Sequence, residues 1–403
     1  MKDHSLFQTG SILSIILGSI FVMAFILPPA MAGMQTMVSV STDDLISMKV
    51  PFPPIPVQSD GVTNIAYELE TSDFEKEGYT LQQAEAIDAG SDTFLVNLTG
   101  EDLLRLYHPA SVPPPTDEEL SSGTKSLLFP RISFWIRVFP GNVPDTLVHR
   151  LTLGEPGNKS EPLVISGGEV RVLTDVPLVS IGAPLNGTGW IAWETTDPHT
   201  HHFGSQITKN GVTRVPQRFA QDWLKMDENK TIVSGDYTKN ENWTAYGQEV
   251  LAVKDGTVAR IFQGVPDNDP VGTSPPINTT RLAGNYVILD IGDGRYACYG
   301  HLIPGSITVK EGDTVREGDI LGYLGNSGNS DAPHLHFQIT DGPGFLDAEG
   351  IPFVFRSIYT TGLCDGNLTC TAYETPRLHE GELVENRVVV TFPDTRLSGT
   401  TQE

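Results

Sequence analysis

The chain reads as a mainly β protein, with a small β-sandwich-like domain followed by a larger antiparallel β-sheet domain. Two observations predict this. Apolar and polar residues alternate over short runs such as Ile132–Phe139 and Asn285–Ile291, the period-2 pattern of half-buried strands. Gly, Pro and Asn turns separate these short runs. Within the stretch up to about residue 124, Leu81–Asp88 is the best helical candidate, and a helix is expected there.

The elements follow in order. Lys2 precedes an uncharged apolar run from Ser11 to Leu27, and Ala30-Met31-Ala32 supplies small residues before Gly33. Residues 1–32 are therefore expected to be a signal peptide or a membrane anchor, with the rest of the chain extracellular or at the cell surface. Residues 33–124 form a variable region closed by a linker at Pro113–Pro115. Residues 125–188 hold strands at Ile132–Phe139, Glu169–Leu173 and Val179–Ile181, separated by turn residues, which suits a small sandwich. Residues 189–360 carry a second strand series, including Glu249–Val253, Thr257–Phe262, Asn285–Ile291, Arg295–Tyr299, Ile307–Val309, Ile320–Leu324 and His334–Ile339. Lys254-Asp255-Gly256 is the signature of a hairpin turn between the first two of these. Residues 361–403 are a C-terminal extension.

A net charge of −24 argues against nucleic acid or an anionic membrane surface as a partner. Sequons at Asn97, Asn158, Asn186, Asn229, Asn242, Asn278 and Asn367 fit a glycosylated exterior protein. Cys364 and Cys370 bracket a short loop that a disulfide could close in an oxidising compartment, while Cys298 reads as a small buried side chain.

The chemistry concentrates in two blocks, Tyr299-Gly300-His301-Leu302 and Gly325–Phe337. His334 and His336 stand two residues apart on an expected strand, so both imidazoles share one face while Leu335 and Phe337 face the core. Imidazoles on a rigid strand, joined by a carboxylate, suit Zn²⁺. His336 is one candidate ligand and Asp222, within Gln217–Trp223, is a second. The third is expected from His199-Thr200-His201-His202. A strand through His202, a turn at Lys209-Asn210-Gly211 and a return to Trp223 would bring histidine and aspartate together, with the register left open by Pro216.

These blocks resemble the M23 (lysostaphin/LytM-type) zinc peptidases, which cut peptide cross-bridges of bacterial cell walls. The likeness is closest to exported members carrying a His-His segment, Gln-Arg-Phe-Ala-X-Asp-Trp and Gly-Asn-Ser-Gly-Asn-Ser, and it spans roughly residues 125–395. The resemblance implies an M23-type antiparallel β-sheet peptidase domain, with Asp222 and His336 as zinc ligands. It also implies that His301 and His334 polarise water and stabilise the oxyanion. Most members place the first histidine four residues before the aspartate. Arg218 occupies that place here, so His202, or failing it His201, is expected to supply the ligand from a neighbouring segment, with Arg218 orienting a carboxylate of protein or substrate. The expectation is an exported zinc metalloendopeptidase acting on a peptide or cell-wall-like polymer. The alternative is a degenerate module that binds envelope components or activates a partner.

Overall fold

The computed structural model describes residues 46–110, 129–157, 161–273 and 281–393. The expected signal or anchor, the Pro113–Pro115 linker, and Asn158 and Asn278 lie outside the described residues. Among the described residues no helix is long and apolar enough to cross a membrane.

Two sheets make the sandwich. Val62–Thr71 pairs antiparallel with Arg131–Val138 along its whole length, and Met48–Lys49, Val57–Ser59 and Tyr107–His108 complete that sheet. The second sheet runs Thr93–Leu98, Thr80–Asp88, Thr146–Gly154, Leu163–Arg171. Both sheets therefore draw strands from either side of residue 125. Tyr67 and Phe134 of one sheet meet His149 of the other, where the Tyr67 hydroxyl donates to His149 Nε2 at 2.9 Å.

The segment expected to be helical is the strand Thr80–Asp88. Its residues are fair helix formers, but each neighbour offers a full ladder, and Glu85 is ion-paired across to Arg150 at 2.6 Å. Tertiary pairing overrides a propensity of a few tenths of a kcal/mol per residue.

The second layer is a ten-stranded antiparallel sheet with Tyr296–Leu302, Leu335–Thr340, Gln221–Lys225 and Gly187–Trp193 side by side near its middle. Its buried face is lined by Trp190, Trp223, Tyr299, Phe337, Phe353 and Phe392, which are almost fully enclosed. Lys254-Asp255-Gly256 does not close a hairpin. Glu249–Leu251 leaves the large sheet to pair with Ile320–Tyr323, while Gly256–Phe262 pairs with Asn285–Asp290. The expected strand at Ile307–Val309 is an extended connection outside any sheet. Cys364 and Cys370 are disulfide-bonded, and Cys298 is a free, buried thiol.

The sandwich and the large sheet are tied together by buried contacts. Trp135 packs edge-on to Phe203, with ring centroids 5.0 Å apart, and also lies against Phe219. Arg218 reaches from the segment before Asp222 to Glu68 of the sandwich.

Candidate metal centre

Strand register brings the residues together. Asp222 sits directly opposite His336 in the antiparallel pair, and Gly300 is the neighbour of His336 on the other side. A Cβ at Gly300 would meet Phe345 at 3.0 Å and His336 Cβ at 3.5 Å, so glycine lets the strand carrying His336 close against it. The next residue, His301, has a left-handed backbone (φ 62°), uncommon for a residue with a side chain. Its amide donates to Ala283 O at 2.8 Å and its carbonyl accepts from Gly325 at 3.0 Å, which hold it in that conformation.

His202 does not lie on a strand. The Lys209-Asn210-Gly211 hairpin forms, but it is confined to Ile207–Lys209 and Val212–Arg214 and stands apart from the large sheet. His202 sits on the turn before it, and the chain changes course around Pro216 before entering Gln221–Lys225. Proximity of His202 to Asp222 comes from the loop after Trp193, whose strand partner is Asp222 itself. Phe203, fully buried against Trp135, anchors that loop.

The hydrogen-bond network fixes which nitrogen of each imidazole carries its proton. His202 Nδ1 lies 2.7 Å from Glu194 O, so it donates there and leaves Nε2 with a lone pair. That Nε2 is buried without a hydrogen-bond partner and stands 3.5 Å from Asp222 Oδ2. His336 Nε2 faces Gln338 Oε1 at 2.9 Å, and the Gln338 amide nitrogen donates to Phe345 O at 2.8 Å. The amide oxygen must therefore accept from His336 Nε2–H, leaving Nδ1 to face Asp222 Oδ1 at 3.0 Å. Two acceptors at that distance repel unless a proton or a cation lies between them.

His301 Nδ1 donates to Ser327 O at 2.7 Å, and His334 Nδ1 donates to Ala332 O at 2.8 Å. Each leaves Nε2 as a proton acceptor. The two rings are 4.7 Å apart, and His334 Nε2 is 3.5 Å from Asp222 Oδ1.

Electrostatics follow the burial. Burial pushes His202 down to about 3, and it also pushes His301 well below the ordinary imidazole range. Both are neutral bases at neutral pH. Burial pushes Asp222 up, but the attraction of a proton carried by His202, His334 or His336 outweighs it and holds the carboxyl well below its usual range. One carboxylate ringed by imidazole lone pairs is a donor set of the chemistry that Zn²⁺ takes.

The other four expected site residues thus gather around Asp222, His301 through its neighbours His334 and His336. Geometry also gathers His201, whose ligand-capable nitrogen lies with those of His202 and Asp222 inside a 4.8 Å group. Arg218 points away from this centre. Its guanidinium contacts both Glu68 and Glu349, the latter at 2.5 Å, and donates to Gly350 O at 3.2 Å, so the carboxylates it orients belong to the protein. Sequence reasoning missed Glu194 and Gln338. Gln338 had a readable signal, since it continues the His334, His336 alternation onto the same face.

Residues 242–347 match the family description "Peptidase family M23". The segment belongs to that family. It holds His301, His334 and His336, whereas His202 and Asp222 precede it. Endolysin 2638A of Staphylococcus phage 2638A is 46% identical over 62 residues, 15% of this chain and 13% of its own. The peptidoglycan DD-endopeptidase ShyA of Vibrio cholerae is 40% identical over 80 residues, 19% of this chain and 18% of its own. The chain thus spans less than a fifth of the length of these curated relatives. The solved catalytic domain of lysostaphin from Staphylococcus simulans aligns at 24% identity and TM-score 0.21, covering 35% of this chain and 77% of that one.

Proposed function

We propose that this chain is an exported zinc metalloendopeptidase that cleaves peptide bonds in a cell-envelope or extracellular substrate. The observation that carries the reading is the convergence of His202 Nε2 and His336 Nδ1, each with its proton on the opposite ring nitrogen, on the two oxygens of Asp222. His202, Asp222 and His336 would hold the metal. When bound, Zn²⁺ supplies Lewis acidity toward a peptide carbonyl and acidifies a water. His301 Nε2 or His334 Nε2 accepts the water proton and returns it to the leaving amine, and the protonated ring stabilises the oxyanion. Their Nδ1–H bonds to Ser327 O and Ala332 O keep both acceptors aimed inward.

Endopeptidases among the relatives make a peptide or cell-wall-like polymer the favoured substrate class, and nucleic acid is disfavoured by the charge of −24. Export is supported by the Cys364–Cys370 disulfide and by the sequons. The N-terminal apolar run would serve as signal or membrane anchor. Of the expected ranges 1–32, 33–124, 125–188, 189–360 and 361–403, the first stays as proposed, while the boundary near 125 falls inside the sandwich and the one near 360 inside the large sheet, because strands pair across both.

Elemental analysis of the purified exterior segment from Gly33 tests the reading. Near one zinc per chain is expected, with loss of zinc in a folded Asp222→Ala variant. Full zinc content in that variant would remove Asp222 from the ligand set. Zinc without hydrolysis of any cross-linked peptide would leave the degenerate binding module as the better reading.

A further inference from the structure

His201 lies beside His202 with ring centroids 4.2 Å apart, yet the three-ligand centre leaves it without a task. Its Nδ1 is 3.1 Å from Glu194 Oε2, and its backbone N–H donates to the same oxygen at 3.0 Å. A carboxylate only accepts, so Nδ1 carries the hydrogen and Nε2 is the nitrogen left able to bind a cation. The same Glu194 holds His202 through its backbone carbonyl. Glu194 adopts a left-handed conformation (φ 51°), which a residue with a Cβ adopts rarely, and one residue thereby fixes the tautomers of both imidazoles.

The two histidines differ in exposure. The His201 side chain is 64% exposed, while those of His202 and Asp222 are 2% and 9%. A ring nitrogen of His201 nevertheless lies within 4.8 Å of the ligand atoms of His202 and Asp222. Ligands about 2 Å from a tetrahedral ion stand about 3.3 Å apart, so a rotation of an exposed side chain on a turn closes the gap. The same freedom lets it swing out again.

We infer that His201 is a fourth, displaceable protein ligand of the metal centre, closing the coordination position that a substrate carbonyl needs and oriented for that task by Glu194. Fully ligated zinc sites are structural, and catalytic ones keep a position open. A ligand that alternates between the two makes the resting centre closed and the engaged centre open. This inference rests on the His202–Asp222–His336 reading above.

The full chain and a His201→Ala variant, both loaded with zinc, separate the possibilities. X-ray absorption at the zinc edge should count three imidazoles in the wild type and two in the variant, and chelator competition should show about 10- to 100-fold weaker zinc binding in the variant. Acetohydroxamate, a small chelating probe that needs the open position, should bind zinc-loaded His201→Ala more tightly than the wild type. Glu194→Ala should shift these readouts in the same direction, and Glu194→Gln, which keeps an acceptor oxygen, less so. Two imidazoles in zinc-loaded wild type, with equal hydroxamate affinity in both proteins, would overturn this inference and leave the three-ligand centre standing. A folded wild type that takes up no zinc would overturn both.

Discussion

Replacing Arg218 with methionine should destabilise the fold strongly at alkaline pH and weakly at acid pH, without emptying the metal centre. The side chain is 5% exposed and donates to Glu68 Oε1 at 3.3 Å and Gly350 O at 3.2 Å, besides pairing with Glu349 at 2.5 Å. Methionine preserves apolar packing but leaves two carboxylates, Glu68 and Glu349, buried without their shared cation. Removing one partner of a buried ion pair costs about 3–5 kcal/mol, because the stranded charge has no solvent to turn to. Burial already pushes Glu349 up to about 7 against the pull of Arg218, with Glu68 adding to the rise. A carboxyl with a raised folded pKa contributes stability below its ordinary range and loses it as pH rises through the folded value. Without Arg218 that rise grows. The gap between variant and wild type should be smallest near pH 5 and widest near pH 8. Urea unfolding midpoints at both pH values, with zinc content measured on the folded samples, give the result. A cost below about 1 kcal/mol at pH 8 would refute the stranded-charge reasoning. So would a variant that unfolds like the wild type but has lost its zinc, since Arg218 would then belong to the metal centre.

Two further expectations use other parts of the molecule. Gln338→Leu removes the acceptor that keeps the proton on His336 Nε2, so zinc affinity measured by chelator competition should fall about 10- to 100-fold, and the stranded His336 N–H and Phe345 carbonyl should cost about 1–3 kcal/mol of stability. His149 is pushed down to about 4 by burial between the sandwich sheets, where it accepts from Tyr67 and donates to Gly168 O. A histidine held neutral contributes stability above its unfolded pKa and loses it as pH falls toward the folded one. The stability difference between wild type and His149→Gln should therefore shrink by about 3 kcal/mol between pH 7 and pH 4, measured by denaturant unfolding. A constant difference would mean that His149 can be protonated in place.

Much of the centre was legible because its chemistry sits on period-2 strands. His334 and His336 could be assigned to one face from spacing alone, and the paired register with Asp222 then needed only the right neighbour strand. His202 was harder. Its position depends on a loop anchored by Phe203 on Trp135 and oriented by Glu194, contacts across separations that no local pattern records. The helix expected at Leu81–Asp88 failed for a related reason, since its ladder partner at Thr146–Gly154 lies some sixty residues away. The Lys254-Asp255-Gly256 turn has hairpin chemistry, yet Glu249–Leu251 finds a better partner in Ile320–Tyr323. Turn residues permit a reversal of the chain, but strand pairing decides who benefits.

The family segment at 242–347 contains only the histidines of strands Tyr296–Leu302 and Leu335–Thr340, with His334 just ahead of the latter. Asp222 and His202 come from the preceding stretch, and the loop that bears His202 leans on Trp135 of the sandwich. A fragment cut to the family boundaries would keep His336 alone of the three proposed ligands. Arg218, four residues before Asp222, is ion-paired to Glu68 on the strand Val62–Thr71, so the sandwich is built into the framework of the site rather than hung beside it as a separable cassette.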